Sequence, residues 1–215
     1  MAEAGVERKD WYVWHDGYDT PGSTLALRLR AVQERIRAAL DGYPPGPVRV
    51  LSLCAGQGRD LLTVLADHPR RDDVSACLVE LDPRNADAAR ESARDAGLTG
   101  VEVVVADAGH TDAYAGSVPA DLVLVCGVLG NIPDAEIRAT VYACTQLCAT
   151  GGTVLWTRHR RPPDLVPEIC RWFAESGFAL EWLSAPDEPF GLGAHRFTGT
   201  PTPLVSGSRI FRFTR

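Results

Sequence analysis

Residues 48–65 read VRVLSLCAGQGRDLLTVL, and this stretch decides the fold. It begins as an apolar run, Val48–Leu53, which is typical of a strand buried on both faces. A turn with two glycines follows at Cys54–Gly58, and an apolar helix pattern resumes at Leu61. Because glycines at the start of a helix leave backbone N–H groups open to a ligand, we predict a binding turn at the end of a buried strand.

Strand and helix patterns alternate through the rest of the chain, which predicts an α/β fold with a doubly wound, mostly parallel, seven-stranded sheet. Asp82-Pro83 predicts the start of a helix, with Asp82 as its N-cap. The last two strands have no helix between them, so we expect an antiparallel C-terminal strand. The predicted strands are Val48–Leu53, Cys77–Val79, Val101–Val105, Asp121–Cys126, Thr153–Trp156, Phe178–Leu183 and Arg209–Phe213.

We divide the chain into an N-terminal arm with a helix, residues 1–47, and one domain, residues 48–215. The helix begins after Ser23 or Thr24 and ends at Gly42, ahead of a proline-rich linker. Ligands of a parallel sheet bind beyond the carboxyl ends of its strands. We therefore look for the binding site among the residues expected at that edge of the sheet.

Composition excludes several classes of function. The formal charge of −6 does not indicate a nucleic-acid or membrane-surface binder. The six cysteines form no C-x-x-C pair and no cluster with zinc-ligand spacing, so we expect reduced thiols and no metal. No signal peptide or membrane span is recognised, which predicts a cytoplasmic protein. The sequence leaves open whether the protein is a monomer or a homodimer.

Carboxylates follow two of the strands. Glu80 ends the second strand about 20 residues after the glycines, where it can accept both hydroxyls of an unphosphorylated ribose. Asp107 ends the third strand, where it can accept from an adenine amino group while the Ala108 N–H reaches a ring nitrogen. Leu61 stands where a dinucleotide-binding turn needs a third Gly or Ala, so the turn alone leaves the cofactor undecided.

At this point the sequence resembles the class I S-adenosylmethionine-dependent methyltransferases of the small-molecule type. The resemblance rests on VLSLCAGQG, VELDP, VVVADA, ADLVLVCGVLGNI and LCATGGTVLWTR, taken in this order. It implies a Rossmann-like methyltransferase fold with S-adenosylmethionine as cofactor. The implied cofactor-binding residues are Cys54, Ala55, Gly56, Gly58, Glu80, Leu81, Asp107 and Ala108.

Two residues depart from the family pattern. Ser52 replaces an acid that often orders the turn, and Cys54 replaces the usual first glycine. Both are small, so we expect the turn to form. The implied activity is direct transfer of a methyl group to a small organic acceptor, whose nucleophilic atom the sequence does not identify. The arginines after the fifth strand and the aromatic residues of the arm, described below, favour an anionic or aromatic acceptor.

Candidate acceptor-binding residues follow the fourth and fifth strands. Asn131 is a candidate for a hydrogen bond to the acceptor, or else it begins the next helix. Arg158, in the run Trp156–Arg161, is a candidate for binding an anion, unless this run is a solvated turn. His159 is a candidate general base.

The arm is rich in aromatic residues, so we expect it to fold back over the cofactor rather than only pack on the sheet edge. Trp14 and Tyr18 are candidates for contact with the acceptor, and His15 is a second candidate base. His195, expected in the connection between the last two strands, is a third.

Two alternatives to a methyltransferase stay open. The first is a nicotinamide-dependent oxidoreductase, which Leu61 and the lack of a Tyr-x-x-x-Lys pair disfavour. The second is a catalytically silent, methyltransferase-like partner or regulatory subunit, which only Ser52 and Cys54 favour.

Overall fold

The structure, a computed structural model, describes residues 10–213. Its α-helices are α1 (Trp11–Trp14), α2 (Thr24–Gly42), α3 (Leu61–Asp67), α4 (Pro83–Asp95), α5 (Asp134–Leu147) and α6 (Val166–Glu175). Its strands are β1 (Val48–Leu53), β2 (Val74–Glu80), β3 (Val101–Val105), β4 (Ala120–Val125), β5 (Cys148–His159), β6 (Phe178–Leu183) and β7 (Phe190–Phe197). Short 3₁₀ helices cover His15–Asp19, Arg71–Asp73 and Thr111–Ser117.

The seven strands form one sheet in the order β3-β2-β1-β4-β5-β7-β6. Strands β1 to β5 are parallel, and β7 pairs antiparallel with both β5 and β6. The predicted doubly wound sheet with an antiparallel C-terminal strand is therefore confirmed. Strand order reverses between β1 and β4, so the crevice beyond their carboxyl ends is the expected ligand site.

Alternate residues of the strands face two separate cores. Val50 packs on the side of α2, α3 and α4, whereas its neighbour Leu51 packs on the side of α5 and α6. Both side chains have no exposed surface. Burial on two faces explains why β1 is almost continuously apolar, and it holds the tip of the strand rigidly under the glycine turn.

The predicted helix signals agree with the structure. Ser23 is the N-cap of α2 and accepts a hydrogen bond from the Ala26 N–H at 3.1 Å. Asp82 is the N-cap of α4 and accepts from the Arg84 N–H at 2.9 Å. Each cap satisfies an N–H group that has no partner inside its helix.

The seventh strand, in contrast, was predicted in the wrong place. It comprises Phe190–Phe197, which we expected to be a connection, whereas Arg209 of the expected strand makes an isolated bridge with His110. Gly191 and Gly193 weakened the strand pattern, because glycine is depleted in strands. A Cβ on these two glycines would lie 2.3 Å from Val166 and 2.5 Å from Trp156, respectively, so tertiary packing requires them.

The C-terminal segment instead lies along the loop after β3. The Ile210 N–H donates to the Gly109 carbonyl at 2.8 Å, and Phe211 is buried in the core beside α5. This course brings Arg209 to the tip of β3. Between residues 10 and 213, no helix combines the length and the apolar character that crossing a membrane requires.

Candidate functional site

The glycine turn after β1 adopts left-handed backbone conformations at three residues. The φ angles are 54° at Cys54, 57° at Gly56 and 67° at Gly58. Within residues 10–213, Cys54 is the one non-glycine residue with a positive φ. A side chain there costs roughly 1–2 kcal/mol. Cys54 therefore adopts a backbone conformation that favours glycine.

The two glycines of the turn serve different purposes. A Cβ on Gly58 would lie 2.7 Å from Leu62, so this glycine permits close packing on α3. A Cβ on Gly56 would lie 2.3 Å from Nε2 of His15, which belongs to the arm. The backbone of Gly56 therefore faces the imidazole of His15 and not the hydrophobic core.

Glu80 lies at the tip of β2 and is 8% exposed. Its Oε2 accepts from the Gly56 N–H at 2.7 Å, and its Oε1 accepts from the Asp82 N–H at 2.8 Å. Burial raises the pKa of this carboxyl. A carboxylate has about four acceptor positions, so each oxygen retains one after these bonds. Two adjacent acceptors suit the two hydroxyls of a ribose.

The surroundings of Glu80 agree with the shape of a nucleoside. Leu81, the next residue, leaves 64% of its surface exposed, although large apolar side chains are usually buried. A flat base packed on Leu81 would cover it. The bare turn, the carboxylate and the apolar platform together fit the methionine, ribose and adenine parts of S-adenosylmethionine.

Asp107 lies at the tip of β3, as predicted, but its two oxygens already have partners. Oδ1 accepts from the Gly109 N–H and Oδ2 accepts from Arg209 Nη1, both at 2.8 Å. Partial burial acts to raise the pKa of Asp107, but the Gly109 N–H and the Arg209 guanidinium lower it overall. Ala108 is 3% exposed. The sequence offered no signal for Arg209, which lies 102 residues further along the chain.

The arm lies against the glycine turn. Asp10 pairs with Arg84 of α4 at 2.8 Å, and Asp19 pairs at 2.7 Å with Arg59, the residue after the turn. Trp11 makes an edge contact with Phe213 of the C-terminal segment, with ring centroids 5.6 Å apart. Residues 10–19 thus join elements on either side of the glycine turn. None of these partners was predicted.

His15 is the arm residue that contacts the turn, and it is 7% exposed. Its Nδ1 lies 2.6 Å from the Trp11 carbonyl oxygen, which can only accept a hydrogen bond. The ring proton therefore resides on Nδ1, and Nε2 faces Gly56 as an unprotonated nitrogen. Burial lowers the pKa of His15, with a smaller opposing effect from the Trp11 carbonyl. The ring is thus neutral near pH 7.

Trp14 and Tyr18, the predicted acceptor contacts, pack beside His15. Their ring centroids lie 5.4 Å apart in an edge-to-face arrangement. The Tyr18 hydroxyl accepts from Arg28 of α2 at 3.0 Å, and burial raises the pKa of Tyr18. The two rings therefore pack on each other within the arm, beside Arg28.

A cavity of about 450 Å³ opens beyond the tips of β4 and β5 and includes Arg158 and His159 in its lining. Arg158 is 4% exposed. Asn131 does not begin a helix, since α5 starts at Asp134, and its Nδ2 donates to the Gly127 carbonyl at 2.6 Å. The cavity therefore brings together one predicted acceptor-binding residue, Arg158, and one candidate base, His159, whereas Asn131 holds the neighbouring loop.

His195 lies in the core and not at this edge. It is in the middle of β7 opposite Val154, with no exposed surface, and Nδ1 accepts from Trp156 Nε1 at 3.1 Å. Its ring stacks on Phe173 at 4.5 Å. Burial lowers the pKa of His195 to about 4. The prediction that His195 lies in a connection beside the active face was wrong, because it lies within β7. We therefore do not retain His195 as a candidate base.

The cysteines are all free thiols, and Cys77, Cys144 and Cys148 are buried. Throughout residues 10–213, no group of three His, Cys, Asp or Glu side chains is arranged to hold a metal ion. The contacts described above define the candidate site. It consists of the glycine turn, the tips of β2 and β3, the arm, and the cavity at β4 and β5.

Comparison with known proteins agrees with this geometry. A family model described as a methyltransferase domain matches residues 50–152. A search of curated protein sequences found no match.

Solved structures of similar fold include an O-methyltransferase family protein from Burkholderia thailandensis, 20% identical with a TM-score of 0.65. The alignment covers 87% of this chain and 59% of that one, so this chain spans about three fifths of the length of that relative. Magnesium protoporphyrin IX methyltransferase from Synechocystis, solved with S-adenosylhomocysteine, is 15% identical over 85% of this chain and 92% of that one, with a TM-score of 0.62. Fibrillarin from Aeropyrum pernix, solved with S-adenosylmethionine, is 18% identical over 75% and 74%, with a TM-score of 0.55.

Proposed function

Residues 50–152 form a methyltransferase domain with the fold of the class I S-adenosylmethionine-dependent enzymes, and from this premise we propose that the chain methylates a small organic acceptor. In-line displacement would break the bond between the sulfonium sulfur and the methyl group, form the bond between the methyl group and the acceptor, and leave S-adenosylhomocysteine. The observation that carries the proposal is Glu80, a buried carboxylate beside the bare turn with two acceptor positions free for a ribose. The comparisons favour neither the oxidoreductase nor the silent partner.

Each part of the cofactor has a matching group. The backbone of residues 54–58 holds the methionine end, Glu80 holds the ribose, and Leu81 covers one face of the adenine. Asp107 and the Ala108 N–H hold the adenine edge, and the Arg209 pair fixes the orientation of the Asp107 carboxylate. When bound, S-adenosylmethionine supplies an electrophilic methyl group on a sulfonium, and the protein has to position the nucleophile and exclude water.

His15 is the best placed base of the three histidines. Its proton sits on Nδ1, so Nε2 is free to take a proton from the acceptor over the glycine turn. The neutral ring adds no positive charge near the sulfonium. The arm that carries His15 also covers the glycine turn. Closure of the arm would therefore cover the site and bring His15 to the acceptor at the same time.

The acceptor is a small molecule and not a nucleic acid. The formal charge of −6 disfavours a phosphate backbone, and the cavity at β4 and β5 is about 450 Å³, which suits a single small molecule. Residues 10–19 of the arm also lie over the glycine turn, which leaves less room for a large acceptor to reach it. The chain is also similar in fold to a fibrillarin described as a pre-rRNA processing protein, which would suggest an RNA acceptor. The charge and the cavity size outweigh this similarity.

Ligand binding tests the cofactor assignment. We expect S-adenosylmethionine and S-adenosylhomocysteine to raise the melting temperature of the protein and NAD to leave it unchanged, because a ligand that binds only the native state stabilises it. Calorimetry should show that Glu80→Gln weakens S-adenosylhomocysteine binding by roughly 1–3 kcal/mol. Glu102→Gln, an exposed change on β3, is the matched control. Stabilisation by NAD alone, or unchanged affinity in the Glu80 variant, would refute the proposal.

A further inference from the structure

Resting on the proposed function, we propose that the cavity beyond β4 and β5 binds a carboxylate, so that the acceptor is a small organic acid. The cavity has a volume of about 450 Å³, within the range of small-molecule sites. Its polar lining includes Asp134, Arg158, His159 and Arg161. Three observations on these side chains support an anion.

The first observation is the burial of Arg158. Its side chain is 3% exposed, and it donates from Nη1 to the Leu129 carbonyl and from Nη2 to Asp134 Oδ1 at 2.9 Å. Its Nε–H has no acceptor among the residues that the structure describes. Buried polar groups are nearly always hydrogen-bonded, and buried charges are paired. The Arg158 charge is compensated by a single carboxylate that is itself 57% exposed.

The second observation is the free guanidinium of Arg161. Arg161 is exposed at the cavity lining, and within residues 10–213 its guanidinium makes no hydrogen bond or ion pair. Its neighbour Arg160 differs, because Nη1 of Arg160 pairs with Asp164 at 2.8 Å outside the cavity lining. A planar guanidinium presents two parallel N–H groups, which match the two oxygens of a carboxylate.

The third observation is the local field. Helix α5, of 14 residues, begins at the cavity, and its N-cap residue Pro133 provides no side-chain cap. The amino end of a helix carries a partial positive charge. Arg158 and Arg161 each contribute one positive charge and Asp134 contributes one negative charge, so these three side chains give the lining a net formal charge of +1. This charge balances one monoanionic carboxylate, whereas a dianionic phosphate would leave one negative charge uncompensated.

Binding of benzoate to the 215-residue chain tests this inference. Benzamide is its neutral analogue, and inorganic phosphate is the second anion. The Nε–H signals of the arginines, followed by ¹⁵N-resolved NMR, report the dissociation constant. We expect benzoate to shift the Arg158 and Arg161 signals saturably and Arg161→Gln to weaken this binding at least about tenfold, as expected for a charge-assisted hydrogen bond. Arg30→Gln, an exposed arginine on α2, should leave benzoate binding unchanged.

Three results would overturn the inference: equal binding of benzamide and benzoate, phosphate binding as tight as benzoate binding, or benzoate affinity unaffected by Arg161→Gln. The titration is run with and without S-adenosylhomocysteine, whose own affinity is measured on the same samples. Failure of the nucleoside to bind refutes the proposed function, whereas failure of benzoate alone refutes the organic acid. The two failures are thus distinguishable.

Discussion

His15 shows how one contact sets the chemistry of a side chain. The Trp11 carbonyl fixes the proton on Nδ1, and burial lowers the pKa of the ring. A base acts only in its neutral form, so activity should rise with pH through this lowered pKa and stay level above it. The enzyme should therefore keep its activity at a lower pH than an ordinary histidine, with a pKa near 6.5, would permit.

We predict that His15→Gln lowers kcat by roughly 10²- to 10⁴-fold and abolishes the acidic limb of the pH profile, since a proton acceptor is lost. S-adenosylhomocysteine affinity should change little. NMR titration of the His15 ring checks its pKa without any acceptor. His159→Gln is the matched variant: if it removes the acidic limb and His15→Gln does not, the base is His159.

At the scale of the element, the arm is attached by contacts that can open. Its two ion pairs, Asp10 with Arg84 and Asp19 with Arg59, have side chains that are roughly a third to two thirds exposed. Exposed pairs are weak and are screened by salt. Residues 10–19 therefore have the weak attachment that a lid requires, and we propose that they open when the cofactor exchanges.

Deleting residues 1–20 should reduce turnover at least about tenfold, because the proposed lid is lost. The remaining chain should still fold, because both hydrophobic cores are formed by the sheet and helices α2–α6. Thermal unfolding and methyl transfer, measured on the same sample, check this. Wild-type turnover of the shortened chain would exclude a lid.

A finer change tests the attachment of the arm. The double substitution Asp10→Asn/Asp19→Asn removes both negative charges, while the amide oxygen introduced at position 10 can still cap α1. We expect S-adenosylhomocysteine to dissociate a few-fold faster, and the difference from wild type should disappear at high salt. An unchanged dissociation rate at low salt would show that the ion pairs do not hold the arm closed.

At the scale of the whole molecule, His195 couples folding to pH. Its pKa is lowered to about 4 in the folded chain, against 6.5 when unfolded. Between these values the unfolded state binds more protons, so stability is full above pH 6.5 and falls as the pH drops toward 4. The loss at pH 4 approaches about 3 kcal/mol. His15, whose pKa is also lowered, adds a slope of the same sign.

Urea unfolding between pH 7.5 and 4.5 measures this loss. His195→Gln, which does not titrate and keeps an acceptor for Trp156 Nε1, should be less stable at pH 7.5 but should lose much less stability on acidification. His110→Gln, at a half-buried position outside the core clusters, is the control and should behave as wild type. An equal slope in wild type and His195→Gln would assign the acid sensitivity to other groups.

The sequence by itself determined the features that arise from neighbouring residues. The bounds of β1 and β3, the caps Ser23 and Asp82, and the position of the glycine turn all follow from periodicity, capping and backbone preference within a few residues. The placement of Glu80 and Asp107 at one edge follows as well, because parallel strands end on the same side of the sheet.

Only the tertiary structure decided the contacts between distant residues. Strand β7 forms despite Gly191 and Gly193 because Val166 and Trp156 fill the space that side chains would take. Arg209 reaches Asp107 across 102 residues, and Asp10 reaches Arg84 across 74. No local pattern encodes such pairs, since their energy depends on where the whole chain folds. The same reason explains why His195 lies buried in the core, while His15 lies against the turn that would hold the cofactor.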